Sequence, residues 1–166
     1  GWRVKEGGAY HHAVRLARAW FRDKLGRTNG IVDPSLWKVA YPTGLLPIIK
    51  SQGVKGVDPY LVAAIIREES QYDWQAVSRV GAIGLMQVMP GTASIVAQRL
   101  GLPAVGRDDL FDQQTNIQIG VHYVEQLLEQ FYGNVVLNIA SYNAGPLVVR
   151  NWVAQHPGRR QDEVTA

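Results

Sequence analysis

The stretch Asp58-Pro59-Tyr60-Leu61-Val62-Ala63-Ala64-Ile65-Ile66-Arg67-Glu68-Glu69-Ser70-Gln71 decides how this chain is read. Asp58 offers an N-cap oxygen, and Pro59 fits the first helical position, where its missing N–H costs nothing and its fixed φ is already helical. A helix is therefore expected through about Gln71. Leu61, Val62, Ile65 and Ile66 share one face at roughly 100° per residue, and Glu69 lies within about 20° of its centre. Glu68 falls well to the side, and Arg67 points nearly the opposite way. The helix thus turns one carboxyl toward apolar surroundings. Burial disfavours the ionised form, so a Glu placed there keeps its proton to higher pH, as a general acid must. A structural Glu, bonded to backbone or to an arginine, is the alternative reading of the same position.

On the N-terminal side, Val14, Leu16, Ala17, Trp20, Phe21 and Leu25 recur at helical spacing among basic residues, which predicts an amphipathic helix over Tyr10 to Leu25, closed by Gly26. Asp33-Pro34 starts a short helix into Ala40, and Tyr41-Pro42-Thr43-Gly44 with Pro47 breaks up any long element. On the C-terminal side the period is lost between Tyr72 and Gly91, where Gly81, Gly84, Pro90 and Gly91 predict a structured loop. Helices are then expected over Thr92 to Leu100, from near Asp112 to Gly133 with one buried face, over Val135 to Tyr142, and over Leu147 to Gln155. Asn143-Ala144-Gly145-Pro146 interrupts the last two. No segment alternates with a strand period, so the expected fold class is all-α.

Composition narrows the chemistry. The 166 residues carry 46% hydrophobic and 19% charged residues and a net charge of +3, ordinary for one globular domain. The basic excess is small and its residues are spread around the first helix, with no recognition motif following, so nucleic acid is not an expected partner. Zero cysteines exclude disulfides and thiolate chemistry. His11, His12, His122 and His156 show no metal-ligand spacing, so no metal is assigned. The chain has neither a nucleophile elbow around a serine nor a phosphate-binding Gly-Lys-Ser or Gly-Lys-Thr loop. Asp108, Asp109 and Asp112 stand just before a helix and suit capping, while Asp73, four residues after Glu69, reads as a turn residue. The start at Gly1 shows no basic leader with an apolar core, and is expected to be that of a fragment.

Four motifs in register carry a resemblance. Arg67-Glu68-Glu69-Ser70-Gln71-Tyr72 with Ala76-Val77-Ser78, then Gly81-Ala82-Ile83-Gly84-Leu85-Met86-Gln87-Val88-Met89-Pro90, then Leu110-Phe111-Asp112 with Asn116-Ile117-Gln118-Ile119-Gly120, and finally Ser141-Tyr142-Asn143-Ala144-Gly145-Pro146, together resemble the soluble lytic transglycosylases of glycoside hydrolase family 23. The resemblance runs from Val57 to Asn151 and implies a lysozyme-like helical domain with an open glycan-binding cleft. It implies Glu69 as the catalytic acid and base, agreeing with the helical-face argument. It implies Ser78, Met86, Gln87, Met89, Tyr142 and Asn143 as glycan-binding residues, with Tyr142 near the acid. Read from the residues alone, Met86 and Met89 fit core filling equally well, and Asn143 with Gly145 fits a helix C-cap. The implied partner is the peptidoglycan glycan strand, cut between N-acetylmuramic acid and N-acetylglucosamine to leave 1,6-anhydro ends, without a cofactor.

By the same resemblance, residues 1–50 are expected to be a helical linker and remnant of an upstream superhelix, 51–156 the catalytic domain, and 157–166 a loose tail that lacks a later family signature. A monomer in the periplasm, with peripheral association with the bacterial envelope, is the matching expectation. Two rivals remain at this stage. One is a goose-type lysozyme that hydrolyses the same bond, and the other is a non-catalytic peptidoglycan-binding module.

Overall fold

The computed structural model describes residues 10–20 and 34–156. Residues 10–20 are helical (α1); the expected continuation to Leu25 and Gly26, and the tail at 157–166, lie outside the described residues. Then follow α2 (Pro34–Ala40), α3 (Leu46–Ser51), α4 (Pro59–Glu69), α5 (Pro90–Arg99), a 3-10 turn (Asp108–Phe111), α6 (Gln113–Gln130), α7 (Val135–Ala144) and α8 (Pro146–Gln155). The described residues form no named strand, and the all-α expectation holds. Among them, no helix is long and apolar enough to cross a membrane.

Local chemistry explains most boundaries. Asp58 accepts from the Tyr60 amide at 2.8 Å and Asp112 accepts from the Thr115 amide at 2.8 Å, satisfying amides that a helix start leaves without partners. Several boundaries differ from expectation, three of them with a clear physical reason. Helix α4 ends at Glu69 rather than Gln71, because Gln71 and Tyr72 take left-handed φ of 52° and 65°. Helix α5 starts at Pro90, a residue expected to break structure, which here occupies the first turn where proline is favoured. Helix α7 runs on through Asn143 and Ala144, and the break falls on Gly145 alone, whose φ of 89° suits a residue without a Cβ.

Helix α6 is the axis of the packing and contacts α3, α5, α7 and the 3-10 turn. One buried face was expected. Instead Asn116, Ile117, Ile119, Gly120 and Val121 are all buried, so the N-terminal half of α6 is enclosed on nearly every side, and only the half from Val124 to Leu128 behaves as a stripe. The main core joins these residues to Val62, Ile65 and Ile66 of α4, Ile83, Leu85 and Met86 of the loop, and Val96 of α5. Phe131, Leu137 and Val149 form a smaller cluster that holds α7 and α8 together.

The loop between α4 and α5 is pinned rather than loose. Single antiparallel bridges pair Val77 with Ile83 and Ile83 with Val88. Gly84 has φ of +77°, and a Cβ there would meet the Leu110 carbonyl oxygen at 2.6 Å and overlap the Asn116 side chain. Gly101 has a comparable φ of +65° with open space around it. The two glycines separate backbone strain from collision. Gly101→Ala should cost about 1 kcal/mol, whereas Gly84→Ala adds a clash with backbone and should cost at least ~3 kcal/mol, as read by chemical denaturation of the two variants.

Candidate functional site

Glu69 closes α4, and the next residue fixes its position. The Ser70 hydroxyl donates to the Ile66 carbonyl at 3.1 Å and is 2.8 Å from the Leu85 carbonyl, tying the helix end to the loop. Tyr72, buried after the left-handed turn, donates to the Pro42 carbonyl at 3.1 Å. Its ring meets Tyr10 edge-on at 6.2 Å, so α1 also braces this corner. Glu69 itself is half-buried while Glu68 is exposed, as the helical-face argument requires. Burial, and secondarily the like charge of Glu68, push the Glu69 carboxyl above its ordinary value.

Arg67 departs from expectation. A residue pointing away from the apolar face is expected in solvent, yet its side chain is only 12% exposed. Its Nε donates to the Ala40 carbonyl at 3.0 Å, its guanidinium lies 4.3 Å from the centre of the Tyr41 ring, and Nη1 pairs with Glu68 at 2.6 Å. The segment after α2 folds over that side of α4, so the helix is covered on two faces. Periodicity alone could not register a cover contributed by the chain some 27 residues away.

Across from the helix end, the loop presents its backbone. The Met86 amide donates to Asn116 Oδ1 at 2.9 Å, and the Met86 carbonyl accepts from the Tyr142 hydroxyl at 2.7 Å. Tyr142, on α7, packs its ring 5.5 Å from that of Tyr123 on α6. Burial first, then the charge of Glu69 and the neighbouring Tyr123, push the Tyr142 phenol well above its ordinary value. Tyr142 therefore remains a neutral hydroxyl and lies within electrostatic reach of Glu69. Tyr123 is likewise pushed up by burial.

The other residues singled out from the sequence divide by environment. The Met86 side chain is 0% exposed and packs against Gly120, where a Cβ would collide with it. As a glycan-contacting side chain it is corrected to core, because it offers no surface to a ligand; its carbonyl accepts from the Tyr142 hydroxyl. Met89 is 39% exposed. Ser78 and Gln87 are half-buried and hold the loop: the Ser78 hydroxyl accepts from the Ala82 amide at 2.9 Å, and Gln87 Nε2 donates to the carbonyls of Ala76 and Gly84 at 3.1 and 3.0 Å. Asn143 follows Tyr142 on α7 with its side chain exposed. Of the acids expected to cap, Asp112 does so, accepting from the Thr115 amide, whereas Asp109 accepts from the preceding Gly106 amide and the 3-10 turn has no side-chain cap; Asp73, expected as a turn residue, accepts from the Gln75 amide at 3.0 Å.

Asn116 and Tyr123 were not among the residues singled out for the site. The only sequence signal for Asn116 is a polar residue on the buried face of an amphipathic helix, four residues after its cap, and such a position needs a partner to be tolerated.

The transglycosylase SLT domain family matches residues 46–165. The soluble lytic murein transglycosylase of Escherichia coli (strain K12) is 42% identical over 97 residues, covering 58% of this chain and 15% of that protein. The crystal structure of the 70 kDa soluble lytic transglycosylase of Escherichia coli superposes with a TM-score of 0.72 at 31% identity, covering 87% of this chain and 22% of that one. An inactive mutant of the lytic transglycosylase Slt from Pseudomonas aeruginosa superposes with a TM-score of 0.69 at 30% identity, covering 93% of this chain and 28% of that one. The chain thus spans less than a third of each of these relatives.

The raised Glu69 carboxyl makes the stability of the fold depend on pH. A folded-state value above the unfolded one means that the folded state holds more protons, so stability falls as pH rises through that interval. Removing the charge should relieve this penalty. Glu69→Gln is expected to melt at a higher temperature than the parent at pH 7, with the difference closing below about pH 4, where Glu is protonated in both states. Scanning calorimetry at the two pH values checks it.

Proposed function

This chain belongs to the transglycosylase SLT domain family, and from that premise we propose that it is the catalytic domain of a peptidoglycan lytic transglycosylase, with Glu69 acting first as acid and then as base. The single observation that carries the reading is a carboxyl held half-buried at the end of α4, with its affinity for the proton raised, beside the neutral hydroxyl of Tyr142. A carboxylic acid so placed delivers a proton to the oxygen linking N-acetylmuramic acid to N-acetylglucosamine as that bond breaks. The resulting carboxylate takes a proton from the muramoyl 6-hydroxyl, whose oxygen closes onto C1. The proton lent in the first half is recovered in the second, water is not consumed, and the products are a free 4-hydroxyl and a 1,6-anhydro end.

The absence of any call on a second carboxylate fits the residues present. Retaining and inverting hydrolases place two carboxyls across the scissile bond. Here Asp73, Asp109 and Asp112 are committed to backbone amides of their own turns. The sugar's own hydroxyl replaces the second group. Met89, Gln87, Ser78 and Asn143 are proposed to border an open cleft along the loop and α7, with the glycan strand as partner. The setting that supplies this substrate is the bacterial cell envelope, and the periplasm is the compartment proposed.

Mass spectrometry of purified peptidoglycan after digestion tests the reading. The parent chain should release anhydromuropeptides, and Glu69→Gln should lower the rate by at least about 10³-fold while remaining folded. Reducing ends that have gained water would instead establish a lysozyme. Binding of peptidoglycan by a folded chain that yields no products would establish a binding module.

A further inference from the structure

Two consecutive residues just after Glu69 hold a conformation that L-amino acids avoid. Gln71 and Tyr72 have φ of 52° and 65°, and a bulky side chain at positive φ persists only where its surroundings hold it there. Their own turn supplies two bonds: the Gln71 amide donates to the Arg67 carbonyl at 3.2 Å, and the Asp73 amide to the Ser70 carbonyl at 3.0 Å. Helix α1 adds to them from outside. His11 Nδ1 donates to the Gln71 carbonyl at 3.1 Å; a carbonyl only accepts, so that nitrogen carries the proton. His11 Nε2 lies 4.0 Å from Asp73 Oδ2. Tyr10 meets the Tyr72 ring edge-on, in a seat that is open because residue 44 is glycine: a Cβ there would overlap the Tyr10 ring. Two turns beyond His11, Arg18 reaches Glu68 at 3.4 Å. Helix α1 thus touches the chain on both sides of Glu69, and it is anchored to the body of the protein by Val14, a member of the main core, and by buried Ala17.

We propose that His11 is a positioning residue for Glu69: by bonding the Gln71 carbonyl it holds the left-handed pair that ends α4, and so fixes where the helix stops and where the acid stands. Without that bond Gln71 and Tyr72 relax toward right-handed values, α4 runs on past Glu69, and the Ser70 hydroxyl is drawn from the Leu85 carbonyl that it meets at 2.8 Å. Glu69 moves with its helix end, and a displacement of about 1 Å costs a positioned group up to about 10²-fold in rate. A contact that only stabilised the fold would lower the melting temperature and leave the turnover of the folded chain alone. The inference deepens the transglycosylase reading and rests on it for its kinetic consequence, whereas its consequence for the turn is independent of any activity.

The test compares the parent chain with His11→Ala, His11→Asn, Gly44→Ala, Gln71→Gly and the double variant His11→Ala with Gln71→Gly, each verified as folded by circular dichroism at the assay temperature. Hydrogen exchange of the Ser70 and Asp73 amides, which bond to the Ile66 and Ser70 carbonyls, reads the turn, with the amides of α6 as internal reference, and kcat and KM are measured on peptidoglycan. His11→Ala is expected to speed exchange at both turn amides at least about 10-fold relative to α6 and to cut kcat about 10-fold, with KM nearly unchanged. His11→Asn, whose Nδ2 donates from nearly the same place as Nδ1, should bring both readings back to within about 2-fold of the parent. Gly44→Ala, which unseats Tyr10 without touching α4, should move both readings in the direction of His11→Ala. In the Gln71→Gly background, where glycine takes positive φ at little cost, His11→Ala should change either reading by no more than about 3-fold. Equal losses in the two backgrounds, turn amides that keep pace with α6, or a lowered melting temperature with kcat intact would overturn the proposal. Should the parent chain release no anhydromuropeptides, the transglycosylase reading fails, and amide exchange still decides whether His11 holds the turn.

Discussion

Twenty residues of irregular backbone lie between α4 and α5, pressed against the core, and a buried peptide group without a partner costs on the order of 1–3 kcal/mol. The side chain of Asn116 meets much of that demand. One amide group reaches Ile83, Met86 and Leu110 together, so α6 reads out the shape of the loop as a rigid template. The enclosure of the first half of α6 follows from this, since a helix that must hold a loop, α5 and the 3-10 turn has no side to spare for solvent. Gly84 and Gly120 belong to the same arrangement: each lacks the Cβ that would keep the loop from seating on the helix.

Glu69 lies at the helix end that Ser70 ties to this loop. A carboxyl on an exposed helix end stays in water, whereas burial at the end of α4 strips solvent from Glu69 and pushes its carboxyl up. The neighbouring Glu68, one residue earlier, shows the contrast: it is exposed and paired with Arg67 and Arg18 at 2.6 and 3.4 Å. Two acids adjacent in sequence thus receive opposite environments from a single 100° step along the helix.

Much of this was legible beforehand. Caps at Asp58 and Asp112, the apolar face of α4 and the placement of Glu69 on it all follow from local periodicity and side-chain chemistry, which a sequence displays directly. The features that were not legible share a cause. Arg67 is covered by Ala40 and Tyr41, Met86 is core because Gly120 makes room for it, and Asn116 is bonded to residues up to 33 positions away. Each is set by a long-range contact that leaves no trace in spacing. Pro90 misled for a different reason: proline ends helices and begins them, and only the cap geometry at Met89 separates the two.

The order of these contacts along the chain gives Glu69 a history as the polypeptide emerges. When residue 69 is made, neither Asn116 nor Tyr142 exists, and the carboxyl hangs in water as an ordinary Glu. Its loop can close only after α6 supplies the template, and its phenolic neighbour is added 73 residues after the acid itself. A chain interrupted between α4 and α7 would therefore carry Glu69 on its helix without the phenol of Tyr142, so the surroundings of that carboxyl are completed last, through closures of long sequence separation that are slow to form.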